Sequence, residues 1–253
     1  MRAIWKGSLS FALVNFPIKL FNAVSSKTLK FHSLCPDCHN QIKYKKWCPY
    51  CEKEVQKPLK GYKVGNEFVI LDDADFERVK IKSTKVIEIQ KFVDADKIPE
   101  IMHSNTYYIA PETGAEKIYV LLREVLQRTG KVGIGKFVLH NREHVVKLAT
   151  YESALLLHTL FYKTEIRQIP EIPNLIQNIK LNEEEIKLCE EIINRMSVSE
   201  IDFGEYTDKY TEGLQKIIEA KLQGKVITIE EKVEQPKESL MDALRASLEA
   251  LSR

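Results

Sequence analysis

Four of the five cysteines are spaced for metal chemistry. Cys35-Pro-Asp-Cys38 and Cys48-Pro-Tyr-Cys51 are two C-x-x-C turns with nine residues between them. Each short turn presents two sulfurs, and two turns closing on one ion give the tetrahedral four-thiolate set that suits zinc. Four cysteines leave no open position for a substrate, so the expected ion is structural. The gap is shorter than the commonest zinc-ribbon spacing and requires a tight hairpin between the knuckles. A redox dithiol and unliganded thiols are the alternatives, and a second C-P-x-C so close by favours zinc. His32 and His39 adjoin the pairs without being needed to complete four ligands. Cys189 reads as a small apolar residue on a helix.

Basic side chains form the second chemical set. Lys43, Lys45 and Lys46 stand beside Tyr44 and Trp47 between the cysteine pairs. Cations interleaved with aromatics suit phosphate contact, although a plain solvated hairpin reads the same way. The stretch 131–162, KVGIGKFVLHNREHVVKLATYESALLLHTLFY, is rich in β-branched and aromatic residues at period two and reads as two or three long strands. Val132, Ile134, Lys136, Val138, His140 and Arg142 share one face, and Gly133, Gly135, Phe137, Leu139 and Asn141 the other. With Asn141-Arg142 at the hairpin tip, Lys136 faces Lys147. Like charges across a ladder destabilise it, and a polyanion lying over them relieves the cost. The stretch suggests a basic sheet surface.

Other chemistry is missing. There is no phosphate-cradling glycine loop, G-x-S-x-G, H-E-x-x-H or G-x-G-x-x-G, and the six histidines show no ligand spacing. Asp72, Asp73 and Asp75 resemble a cation loop only in part, because Ser83 falls where a twelve-residue calcium loop would end in an acid. A binding module is expected, not an enzyme. The formal net charge is only +2, so any nucleic-acid surface must come from local clustering. No apolar run approaches the roughly 18 residues that span a bilayer, and the N-terminus lacks a secretory pattern. A cytosolic protein is expected, in which paired cysteines favour metal over disulfide.

The elements that must hold these residues follow from pattern. Residues 1–24 alternate up to Pro17 and read as one or two strands, with Phe16-Pro17 at a turn or edge. A hairpin over 61–71 turns at Gly65-Asn66, and a short helix over 72–79 starts at Asp72 or Asp73. Strands follow at 85–93 and 106–110. The clearest helix is 116–129, with Ile118, Leu121, Leu122, Val125 and Leu126 as its stripe and Gly130 as its stop. Beyond Pro170 and Pro173 come two helices: one capped by Asn182 with Glu185 and striped by Ile186, Cys189, Ile193 and Met196, the other over 206–222. Residues 224–238 read as a polar linker. Residues 239–253 read as a helix lined by Leu240, Leu244, Leu248 and Leu251, a docking peptide unless it folds back.

MRAIWKGSLSFALVNFPIKLF, KVGIGKFVLHNREHVVKL, LLLHTLFYKTEIR and LMDALRASLEALSR follow one another in an order that resembles the bacterial Ku family. The likeness covers nearly the whole chain, and W-K-G-S-x-S-F-x-L-V-N-x-P is its most specific part. It implies a mixed α+β, strand-rich fold: a Ku-core β-barrel with a long arch or bridge that joins two copies into a ring, plus C-terminal helices. On that plan the core is 1–223, with a zinc-knuckle insertion at 32–56 and a helical dimerisation arm at about 174–223; the linker is 224–238. The implied homodimer threads onto double-stranded DNA ends without reading sequence, in non-homologous end joining. It recruits ligase D through 239–253, with Leu240, Leu244, Leu248 and Leu251 as the docking face. Charge placement and this likeness together point to Lys136, Arg142 and Lys147 as core phosphate contacts. Lys43, Lys45 and Lys46 would lie on the arch-side hairpin, with Lys131 as a further contact. The competing readings are a zinc-ribbon regulatory protein that binds internal sites, and a lysine-dependent abasic-site lyase. The dispersed basic residues, without a recognition helix, count against the first.

Overall fold

The computed structural model describes residues 1–25, 27–79, 85–139, 142–169, 172, 179–224, 243–245 and 247–248. The chain divides into two compact units, Met1–Lys27 with Phe31–Gln168, and Thr28–Lys30 with Ile169–Arg253.

The first unit is built on seven strands: β1 (Trp5–Phe11), β2 (Val14–Asn22), β7 (Val86–Asp94), β8 (His103–Pro111), β9 (Lys131–Leu139), β10 (Arg142–Tyr151) and β11 (Ala154–Leu160). They close as a barrel in the order β1-β2-β8-β11-β10-β9-β7. Only the β1–β7 pairing is parallel, and that pairing closes the ring of strands. Closure leaves no long edge open to another strand. Period-two side chains fill the interior: Leu9, Ile18, Leu20, Ile87, Val146, Leu148, Leu155 and Leu157 are fully buried. Each is worth about 1.5–3 kcal/mol against an exposed position.

Gly135 sits where the walls pinch, since a Cβ there would collide with the Glu88 carbonyl on β7. Pro17 lies inside β2, not at a turn, opposite Ser8. The ladder tolerates it because β8 ends at the next rung, Ile18 against Pro111, so its missing N–H leaves no strand partner unserved.

Helix α2 (Glu116–Thr129) is stopped by Gly130 at φ 63°, the left-handed position glycine takes without penalty. It packs on the barrel through Tyr119, Leu122 and Leu126. The expected stripe is therefore rotated, and Leu121 and Val125 are exposed. Tyr119 sets the rotation: its hydroxyl donates to the Ile109 carbonyl and accepts the Leu155 N–H, both at 2.9 Å, joining β8 to β11.

Between β2 and β7 lies an insertion of two small hairpins, β3 (Trp47–Cys48) with β4 (Lys53–Glu54), and β5 (Lys60–Val64) with β6 (Glu67–Leu71), followed by α1 (Asp73–Arg78). Asp72 and Asp75 cap α1 reciprocally. The second unit contains α3 (Glu183–Met196) and α4 (Lys209–Leu222). Asn182 and Glu185 form the capping box that starts α3. Asp208 accepts the Thr211 N–H, so α4 begins three residues later than its pattern suggests. Ala243–Arg245 and Ser247–Leu248 are helical, with Leu244 and Leu248 half-buried; Leu240 and Leu251 lie outside the described residues. Among the described residues no helix is long and apolar enough to cross a membrane.

Candidate nucleic-acid interface

The β9–β10 ladder closes at Leu139 against Arg142, which sets Lys136 opposite Val145 and Lys147 opposite Ile134. The anticipated Lys136–Lys147 rung does not form. The slip is by two residues, so both lysines keep the outward face and become diagonal neighbours. This register replaces like-charge contact with an ion pair: Lys136 Nζ lies 2.9 Å from Glu143 Oε2, which holds the ammonium above its ordinary pKa. Lys131 is likewise paired, 2.8 Å from Asp94. Lys147 is half-buried, and its Nζ lies 3.1 Å from His103 Nε2. Arg142 is exposed and lines a groove of about 590 Å³ with Glu143, His144, Tyr162 and Glu165. Tyr162 fixes that groove's floor by donating its hydroxyl to the Glu143 carbonyl.

On the insertion, Lys43 and Lys46 are exposed, and Lys45 is 2.9 Å from Glu54 across the β3–β4 hairpin. Exposed pairs of this kind contribute about 0–1 kcal/mol, so a phosphate can displace the carboxylate at small cost.

A like-charge rung does exist, on a different hairpin. Lys6 on β1 faces Lys19 on β2. Lys19 leans on Glu112 at 3.3 Å, and both lysines line a groove of about 580 Å³ with Arg2, Trp5 and Phe21. Neither Arg2 nor Lys6 was singled out from sequence. The signal was present: a tight turn at Ala12-Leu13 forces positions 6 and 19 into register.

The cysteines are brought together two by two. Cys35 and Cys38 share a turn in which the His39 N–H donates to the Cys35 carbonyl and the Cys35 N–H to that of Asn40, both at 2.9 Å. The Asn40 backbone amide is the first of several donors that lower the Cys38 pKa, and the Cys51 and Tyr50 amides lower that of Cys48. Cys51 is raised, first by its contact with Cys48. Amides aimed at sulfur favour thiolate, the form that binds zinc. Thiol chemistry and local turns thus fit the metal. The two pairs stay separate, because among the described residues no group of three or more metal-ligating side chains forms.

A closed barrel with scattered cations on its outer wall describes a binding scaffold. Comparison with known proteins specifies which kind. The family model described as the Ku70/Ku80 beta-barrel domain matches residues 10–188. A protein of Archaeoglobus fulgidus named non-homologous end joining protein Ku is 42% identical over 99% of this chain and 100% of its own length. Proteins of the same name from Heliobacterium modesticaldum and Bacillus subtilis are 34% and 32% identical, covering 98% and 100% of this chain and 92% and 83% of their own lengths. The chain belongs to the Ku family. The relatives are named for non-homologous end joining.

Proposed function

We propose that two copies of this chain join into a ring that threads onto double-stranded DNA ends without reading sequence, serving non-homologous end joining. The observation that carries this reading is the full-length likeness to proteins named for that process. The charge layout supports it. Lys6, Lys43, Lys46, Lys136, Arg142 and Lys147 are spread over several elements, as backbone contacts of a sequence-independent binder should be. A ring also relieves the need for high net charge, because topology slows dissociation where a formal charge of +2 would not.

Dimerisation would use the helical unit, where Ile193, Met196, Tyr210 and Leu222 are exposed apolar side chains. The segment 239–253 would dock ligase D, and Leu244 and Leu248 on one side of its described part fit an apolar docking face. Cys35, Cys38, Cys48 and Cys51 would hold one structural zinc, drawing the two turns together and shaping the hairpin that carries Lys43, Lys45 and Lys46.

Topological trapping tests the ring. Protein is loaded on linear DNA, the DNA is circularised, and the sample is washed at high salt. Retention on the circle, with release after one restriction cut, is the expected result; equal loss from circle and linear DNA would contradict threading.

A further inference from the structure

Lys147 differs from Lys19, Lys131 and Lys136 on the barrel wall. Lys19, Lys131 and Lys136 each hold a carboxylate. Lys147 is half-buried on β10, and its polar partner is an imidazole, His103 on β8, at 3.1 Å. The remaining contacts fix the proton positions. His103 Nδ1 lies 3.0 Å from the Glu100 carbonyl oxygen, which can only accept. Nδ1 therefore carries the ring proton, and Nε2 accepts from the Lys147 ammonium. His158 on β11 stands opposite both Lys147 and Thr106 in the ladders. Its ring meets His103 edge-on, with centroids 5.1 Å apart, and its Nδ1 is 2.9 Å from Thr106 Oγ1.

Three nitrogen bases thus share one outward patch made by β8, β10 and β11. The opposing charge is the Glu100 carboxylate, on the turn before β8, whose effect on Lys147 is outweighed by burial. Burial, then His103 and Lys147, hold His158 down at about 4. A partly desolvated cation whose burial outweighs the pull of its carboxylate is costly, and a mobile anion would offset that cost.

We propose that Lys147, His103, His158 and Thr106 form a seat for one phosphodiester of the DNA backbone, and that filling the seat takes up a proton. On binding, Lys147 releases Nε2 of His103; that nitrogen accepts a proton from solvent, and both groups then donate to phosphate oxygens. Neutral His158 and Thr106 line the seat, and the 2.9 Å bond between them leaves one of the two with a proton to donate to the phosphate. This inference deepens the end-binding reading and rests on it. It adds a proton to a binding equilibrium that other lysines would leave insensitive to pH, since neither a phosphodiester nor an ordinary lysine titrates between pH 6 and 8.

The experiment measures affinity for a blunt 30-base-pair duplex at fixed ionic strength, at pH 6 and pH 8, for wild type, His103→Gln and Lys147→Gln. Circular dichroism confirms that each variant keeps its barrel. Wild type should bind about three- to tenfold more tightly at pH 6. His103→Gln should lose most of that gain, and Lys147→Gln should weaken binding at both pH values and lower the salt slope by about 1. Calorimetry in two buffers of different ionisation enthalpy should show proton uptake by wild type and little by His103→Gln. An unchanged pH response in His103→Gln, or an unchanged salt slope in Lys147→Gln, overturns the seat and leaves end binding standing. Wild-type protein that binds the duplex at neither pH overturns both.

Discussion

At the scale of the residue, Tyr119 and His158 show how single polar groups are tied to the barrel. The Tyr119 hydroxyl serves two buried main-chain groups at 2.9 Å each. Tyr119→Phe leaves the Leu155 N–H and the Ile109 carbonyl less satisfied and should cost about 1–3 kcal/mol in urea unfolding with little change in slope. A change below about 0.5 kcal/mol would show that this hydroxyl does not anchor α2. His158, held at about 4 by burial, His103 and Lys147, makes stability depend on pH. Its folded value lies below the ordinary 6.5, so the unfolded chain binds the extra proton. This contribution is complete above about pH 6.5, falls as pH drops, and is lost once pH passes about 4. Urea midpoints between pH 7 and pH 4 should decline more steeply for wild type than for His158→Gln, and parallel declines would contradict the assignment. Neither role was legible in sequence, because Tyr119 and His158 acquire their partners from strands distant in the chain.

At the scale of the element, what could be read depended on whether local sequence set the geometry. The α3 capping box, the Gly130 stop and the Gly65 turn are each set by residues close together in sequence and were correctly expected. The β9–β10 register was not, since it hangs on one loop: Lys136 meets Val145 in place of Lys147, and the outward face survives because the slip is by two. The α2 stripe held at Ile118, Leu122 and Leu126 and missed at Leu121 and Val125, as apolar side chains alone do not reveal that Tyr119 also faces the barrel. The cysteine turns are local and form as pairs; their union is a long-range event that zinc would drive. Metal analysis of freshly purified protein should find about one zinc per chain. Chelation should then expose the Trp47–Glu54 region to proteolysis while leaving the thermal unfolding of the barrel in place. Metal-free protein as isolated would remove the ion from the account.

At the scale of the whole molecule, the strand-rich class was legible because Leu, Ile and Val recur at period two through the stretches that became β1, β2, β7 and β9–β11. The closure of the barrel was expected from the family resemblance and not from periodicity, since the β1–β7 parallel pairing joins segments nearly eighty residues apart with no local signal. The full-length likeness to end-joining proteins carries the functional argument, and the +2 net charge bears on how DNA would be held. So weak a field fits the proposed ring, in which topology and a few local cations would hold a DNA end in place of a strongly basic surface. The most direct measurement is a gel shift of one plasmid, linearised or covalently closed, at fixed physiological salt with competitor of each form. The account predicts shifts confined to the linear form, with more copies loaded as length grows. Equal binding to both forms, or competition by closed circles as strong as by linear DNA, would contradict it.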